Sequence, residues 1–250
     1  LTVVRAIQQL LPQESIVYFG DTAHLPYGNK SAATIQAYVK RICKVLLQQQ
    51  CKVIVIACNS ATASASEQVK VEVGKQAHVL NVIDPMVAHL HQHFQGKTIG
   101  LIGTQRTVQS GIYVQKCKAL LRGTQLCTLA TPLLAPMIEE GFTQGKISQE
   151  VIHRYLQAPQ LQGIEALILG RTHYAVIKDQ IERFYPPTVA VLDATQLTAL
   201  ALQEYLATHQ LLSTHKAVED RFLVSDLTAD FERATHIFFG KPVHLERFVA

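Results

Sequence analysis

Two short apolar runs in the chain end in compact polar turns, and the residue heading each turn decides what that turn can do. Val53-Ile54-Val55-Ile56-Ala57 leads into Cys58-Asn59-Ser60-Ala61-Thr62, and Ala166-Leu167-Ile168-Leu169-Gly170 leads into Arg171-Thr172-His173-Tyr174. A cysteine at a strand-to-helix junction meets backbone N–H groups and the positive end of the helix dipole, which favour a thiolate. A thiolate can act as nucleophile or proton acceptor. An arginine cannot, because a guanidinium stays protonated at any ordinary pH. Taken alone, Cys58 also fits a small buried hydrophobe, the usual fate of a free cysteine. Its hydroxyl-rich neighbours Asn59, Ser60, Thr62 and Ser64 favour a polar site.

Other polar groups have two readings each. His173 can steady a carboxylate or act as general acid, although most turn histidines do neither. Glu139-Glu140-Gly141 serves equally as a solvated helix end capped by glycine. Asp21-Thr22-Ala23-His24 and Tyr27-Gly28-Asn29 can offer N–H groups to an anion, or simply turn the chain. His89 and His93 share a helix face as zinc ligands do, but no HExxH glutamate and no nearby cysteine accompany them. A metal is therefore not expected. Without a Walker loop or GxGxxG, no nucleotide cofactor is indicated either.

These turns need elements to hold them. Strand-like runs at 15–19, 53–57, 78–83, 98–102, 166–169 and 189–192 alternate with helical patterns. One such pattern begins near Ser31 and carries Ile35, Tyr38, Val39, Ile42 and Leu46. Val176, Ile177, Ile181 and Phe184 mark another, and a last helix is expected over 228–239. Alternating strands and helices predict βαβ units and parallel sheets. In such sheets ligands sit beyond the carboxyl ends of the strands. The echo between the two turns predicts two pseudo-symmetric α/β lobes around a cleft, the first from 1–90 plus 194–250 and the second from 91–193.

Composition sets the outer bounds. The chain has 250 residues, 48% of them hydrophobic and 17% charged, enough for one large or two small globular domains. No apolar run approaches the roughly eighteen residues of a membrane span. The net charge of +4 is scattered, so nucleic acid is not an expected partner. An odd five cysteines without a C-x-x-C pair suit a reducing cytoplasm. The opening Leu1-Thr2-Val3-Val4-Arg5 reads as neither signal peptide nor initiator methionine, and suggests a chain truncated at its front.

Several ordered motifs together resemble glutamate racemase. They are Tyr18-Phe19-Gly20-Asp21-Thr22-Ala23 with Pro26-Tyr27-Gly28, Ala57 to Ala63 around Cys58, Ile102-Gly103-Thr104 with Thr107 and Ser110-Gly111, Glu139-Glu140-Gly141, and Leu169-Gly170 with Thr172-His173-Tyr174. The resemblance runs from Leu1 to about Phe248. It implies a cofactor-independent isomerase that interconverts L- and D-glutamate for peptidoglycan, with two cysteines on opposite faces of the substrate Cα. By that resemblance Cys58 is one base, Glu139 and His173 assist the thiols, and Tyr27, Gly28, Asn59, Ser60, Thr104, Thr107, Thr172 and His173 hold glutamate. It also allows a homodimer, a cell-wall precursor as activator and, in a catalytically dead relative, a role such as modulating gyrase. Two departures stand out: Arg171 occupies the place of the second cysteine, and the family's opening strand with its Asp-Ser pair is missing ahead of Leu1.

Overall fold

The computed structural model describes residues 1–248, without the side chains of Asp230 and Ala234, so the last two residues of the expected 194–250 span lie outside it. The helices are α1 (Thr2–Leu10), α2 (Ala32–Gln48), α3 (Asn59–Val73), α4 (Asp84–His93), α5 (Gln105–Gln109), α6 (Ile112–Leu120), α7 (Leu134–Glu139), α8 (Lys146–Leu156), α9 (Lys178–Phe184), α10 (Ala194–Thr208) and α11 (Ala229–Phe239). The strands are β1 (Val17–Gly20), β2 (Val53–Ile56), β3 (His78–Asn81), β4 (Thr98–Gly103), β5 (Gln125–Ala130), β6 (Ala166–Gly170), β7 (Ala190–Asp193), β8 (Arg221–Val224) and β9 (Leu245–Arg247).

Every paired strand runs parallel to its neighbour, in the orders β1-β8-β9, β2-β3 and β5-β4-β6-β7. The chain forms two pseudo-symmetric α/β lobes, with parallel sheets flanked by helices. Helix starts reflect local chemistry. Ser31, Asp193 and Thr228 cap α2, α10 and α11 by accepting from the N–H groups of Thr34, Thr195 and Phe231. Alternation along β2 separates two cores. Val53, Val55 and Ala57 join a core with Val3 and Ile7 of α1 and Leu202 and Leu206 of α10, while Ile54 and Ile56 join Ile35 and Val39 of α2 and Val69 of α3.

The structure moves some expected boundaries. The first strand begins at Val17 rather than residue 15, because the Ile16 N–H donates to the Asp220 carboxylate and Ser15 Oγ to the Val218 carbonyl. The strand expected over 78–83 stops at Asn81, whose Oδ1 accepts from the N–H groups of Ile83 and Asp84 and turns the chain into α4. The helical pattern after Arg171 splits into a 3-10 turn, Thr172–Ile177, and then α9.

β4 and β6 approach closely at their carboxyl ends, and glycine permits it. A Cβ on Gly170 would sit 2.7 Å from Leu101 Cδ1 and 2.8 Å from the Ile102 carbonyl oxygen. Gly170→Ala is expected to cost about 1–3 kcal/mol through overpacking. Urea denaturation checks this, and an unchanged midpoint would mean that the strands separate freely.

Candidate active site

Cys58 and Arg171 occupy equivalent backbone positions. Cys58 follows β2 after one residue, Ala57, and caps α3 with φ −134° and ψ 122°, its Sγ accepting from the Ala61 N–H at 3.5 Å. Arg171 comes directly after β6 and heads the 3-10 turn with φ −147° and ψ 130°. The two turns touch, since Thr172 Oγ1 donates to the Ala57 carbonyl at 3.5 Å. Both residues line one cavity of about 410 Å³ at the carboxyl ends of the strands.

That cavity gathers most of the residues singled out from sequence. Tyr27, Gly28, Asn59, Ser60, Thr104, Glu139, Thr172 and His173 line it together with Cys58 and Arg171. Thr107 is not among the lining residues. It stands behind Thr104, with 3.0 Å between the two hydroxyls, and 3.5 Å from Ser60 Oγ. Ser60 Oγ and Thr104 Oγ1 are 2.9 Å apart, so this buried hydroxyl cluster ties the first lobe to the second. Gly28 packs on the same cluster, and a Cβ there would lie 3.0 Å from Thr104 Cβ.

Asn59 is buried, and its Oδ1 accepts from the Tyr113 hydroxyl at 2.8 Å. Its Nδ2 has no hydrogen-bond partner among the described residues. A buried, unsatisfied amide donor is costly unless something accepts from it. Asn59 is also one of the residues that line the cavity.

The wall that holds Arg171 is a small charged cluster. Its guanidinium is hydrogen-bonded to Glu139 Oε1, and His173 Nδ1 lies 3.0 Å from that same oxygen and 3.3 Å from Arg171 Nη2. The His173 ring stacks on Phe238 of α11, with centroids 4.1 Å apart. Burial pulls the imidazole down to about 4 against its hydrogen bond with Glu139, and the Arg171 charge adds to the fall. Burial acts to raise Glu139, but the His173 hydrogen bond and the Arg171 charge outweigh it and hold the carboxyl below its ordinary value. At neutral pH the cluster is thus one cation, one anion and a neutral imidazole.

Sequence reasoning missed several supports. Asp21 does not leave its carboxylate for a ligand: it accepts from Tyr27 at 2.5 Å and Ser225 at 2.9 Å, and His24 Nδ1 lies 2.7 Å away. Burial, with the Asp21 carboxylate adding to it, pushes the Tyr27 phenol far up, so Tyr27 stays a neutral donor. The Tyr113 contact to Asn59 and the Phe238 stack were equally invisible, as each joins residues far apart in the chain. The His89 and His93 rings lie 4.6 Å apart, and among the described residues no group of three or more His, Cys, Asp or Glu could hold a metal. No described helix is long and apolar enough to cross a membrane.

Two parallel-sheet lobes that bring matching strand-to-helix turns to one cleft define a class of isomerases, and the sequence signature described as Asp/Glu/hydantoin racemase matches residues 2–202. The glutamate racemase of Syntrophus aciditrophicus is 35% identical over 242 residues, covering 96% of this chain and 89% of the relative. That of Chlorobaculum tepidum is 36% identical over 242 residues, covering 96% and 88%. The crystal structure of the Francisella tularensis glutamate racemase with D-glutamate superposes with a TM-score of 0.91 at 34% identity, covering 99% of this chain and 92% of that one. The chain belongs to the Asp/Glu racemase family, on its glutamate racemase branch.

The depressed His173 has a consequence for stability. An unfolded histidine titrates near 6.5, so between about pH 6.5 and 4 the unfolded chain binds more protons than the folded one. Stability therefore falls as pH drops through that window. The lowered Glu139 extends the loss to more acidic pH. Thermal melts from pH 7.5 to 4.5 are expected to show a falling Tm, and His173→Asn is expected to flatten the slope. An unaltered slope in that variant would exclude His173 as the source.

Proposed function

We propose that the cleft binds glutamate and that Cys58 exchanges the Cα proton of one enantiomer without completing racemisation. The observation that carries this is the paired geometry of the two turns: a thiol on one side, and on the other a guanidinium locked to Glu139. In this reading the Asn59 amide, the Ser60–Thr104–Thr107 hydroxyls, Tyr27 with Gly28, and Thr172 with His173 bind and orient the amino acid. Arg171 attracts a carboxylate and steadies negative charge as it develops next to Cα. The Cys58 thiolate takes the Cα proton and the bond pair stays on the substrate as a carbanion delocalised into the carboxylate. The same thiol then returns a proton to the same face. Configuration is kept, and in D2O the returned proton is a deuteron.

Arg171 supplies no proton acceptor on the opposite face, and the neutral His173 is a weak base. The relatives' names support glutamate as substrate, and with it a cytoplasmic place in making D-glutamate for peptidoglycan. A homodimer and an activating cell-wall precursor belong to the same reading.

Proton NMR in D2O tests it. One glutamate enantiomer is expected to lose its Cα–H signal with no change in optical rotation, and Cys58→Ser to abolish the loss. Placing a positioned proton-transfer group typically gains about 10²–10⁴-fold, so Arg171→Cys is expected to raise racemisation at least ~10²-fold. Exchange of both enantiomers with inversion in the unaltered chain would sink the proposal. A Tm raised by D-glutamate with no exchange of either enantiomer would assign the chain to binding alone.

A further inference from the structure

Asn59 stands directly after Cys58 and lines the same cavity. The two ends of its side-chain amide differ in their surroundings. Oδ1 accepts from the Tyr113 hydroxyl at 2.8 Å, while among the described residues Nδ2 has no hydrogen-bond partner. The contact spans 54 positions of sequence and joins elements of different sheets. α3, which starts at Asn59, joins β2 to β3, and α6, which carries Tyr113, lies between β4 and β5.

Tyr113 is built to hold an amide still. It is 1% exposed and joins the core of Met86, Val87 and Leu90 from α4 and Ile99 and Leu101 from β4. Once that ring is packed, the position of its hydroxyl oxygen is set. Burial keeps the phenol far above its ordinary value, so the oxygen retains its hydrogen. Among the described residues Asn59 is the one hydrogen-bond partner of that hydroxyl. Turning the amide over would set Nδ2 against the phenol and leave the buried O–H hydrogen without an acceptor. A buried donor left unpaired costs more than a typical hydrogen bond contributes. The observed orientation is therefore the favoured one, and it leaves Nδ2 as the end open to a ligand.

A donor held in this way suits the chemistry proposed for the cleft. Proton loss from Cα drives negative charge into the adjoining carboxylate. A donor already aimed at a carboxylate oxygen stabilises that state more than the ground state, and does so without reorganising.

We propose that Tyr113 is a positioning residue for the exchange reaction: it fixes the Asn59 amide so that Nδ2 donates to a carboxylate oxygen of the substrate while Cys58, one residue earlier, works at Cα. Tyr113 is not among the residues lining the cavity and acts through Asn59. The inference rests on the reading of the cleft as a glutamate site. It makes that site depend on both sheets, since one supplies the donor and the other its orientation.

Tyr113→Phe removes the hydroxyl and keeps the ring. Its kcat/KM for Cα–H exchange in D2O is expected to fall roughly 3–10-fold, the equivalent of one net hydrogen bond, with the backbone amide spectrum otherwise preserved. The proton–nitrogen signals of the Asn59 side-chain NH2, recognised by their loss in Asn59→Ala, give the second readout. In the unaltered chain they are expected to form one pair that shifts when glutamate is added. In Tyr113→Phe they are expected to move or double before any ligand is present. Exchange that falls while these signals stay in place would make Tyr113 a packing residue only. Exchange at the unaltered rate would show that the amide needs no orienting, and a pair that ignores glutamate would show that Nδ2 meets no substrate. Each of these overturns the inference and leaves the glutamate reading standing. An unaltered chain that exchanges neither enantiomer would sink that reading, and this inference with it.

Discussion

A parallel pair of strands cannot be closed by a tight turn; the chain must cross back over the sheet before it can pair again. Among the described residues every hydrogen-bonded pair of strands is parallel, and the remaining architecture depends on that constraint. The return crossings, mostly helical, cover the sheet faces, and the functional turns collect at the carboxyl ends of the strands. Two lobes built this way, set with those ends together, leave a cleft between Cys58 and Arg171 without any further device.

Electrostatics then decides what that cleft tolerates. Arg171 is 16% exposed, and a guanidinium so enclosed needs an anion beside it. Glu139 supplies one, and His173, kept neutral by burial, adds no second positive charge. The wall is balanced, and the hydroxyl cluster of Ser60, Thr104 and Thr107 is neutral. Among the described residues the buried Asn59 Nδ2 has no hydrogen-bond partner. A ligand with oxygen acceptors fits this inventory better than one that brings donors alone.

Much of this was legible in the chain because parallel strands buried on both faces announce themselves. β2 and β6 are continuous apolar runs, β3, β4 and β7 carry shorter apolar stretches bounded by polar residues, and the turns behind β2 and β6 resemble each other to the eye. β5 was not legible, since Gln125, Cys127 and Thr128 interrupt its apolar pattern. β8 and β9 are short and carry Arg221, Glu246 and Arg247 within four and three residues, which masks their apolar character. α1 escaped because a run at the very start of the chain has no flanking strand to frame it. Within the site, the residues facing the cavity were readable from local turn chemistry. Their supports were not: Ser225 reaches Asp21 across 204 positions of sequence, and nothing local marks Phe238 as the stacking partner of His173.

Cys58 and Arg171 adopt nearly the same extended backbone at the head of their turns. Such a backbone accepts either residue, so the demand on which one stands there comes from the side-chain surroundings, where Glu139 meets the Arg171 guanidinium. Some arginine codons differ from cysteine codons by a single base. Exchange of arginine for cysteine at this position is then one base deep. The neighbour that registers such an exchange is Glu139, whose carboxylate would lose the cation beside it.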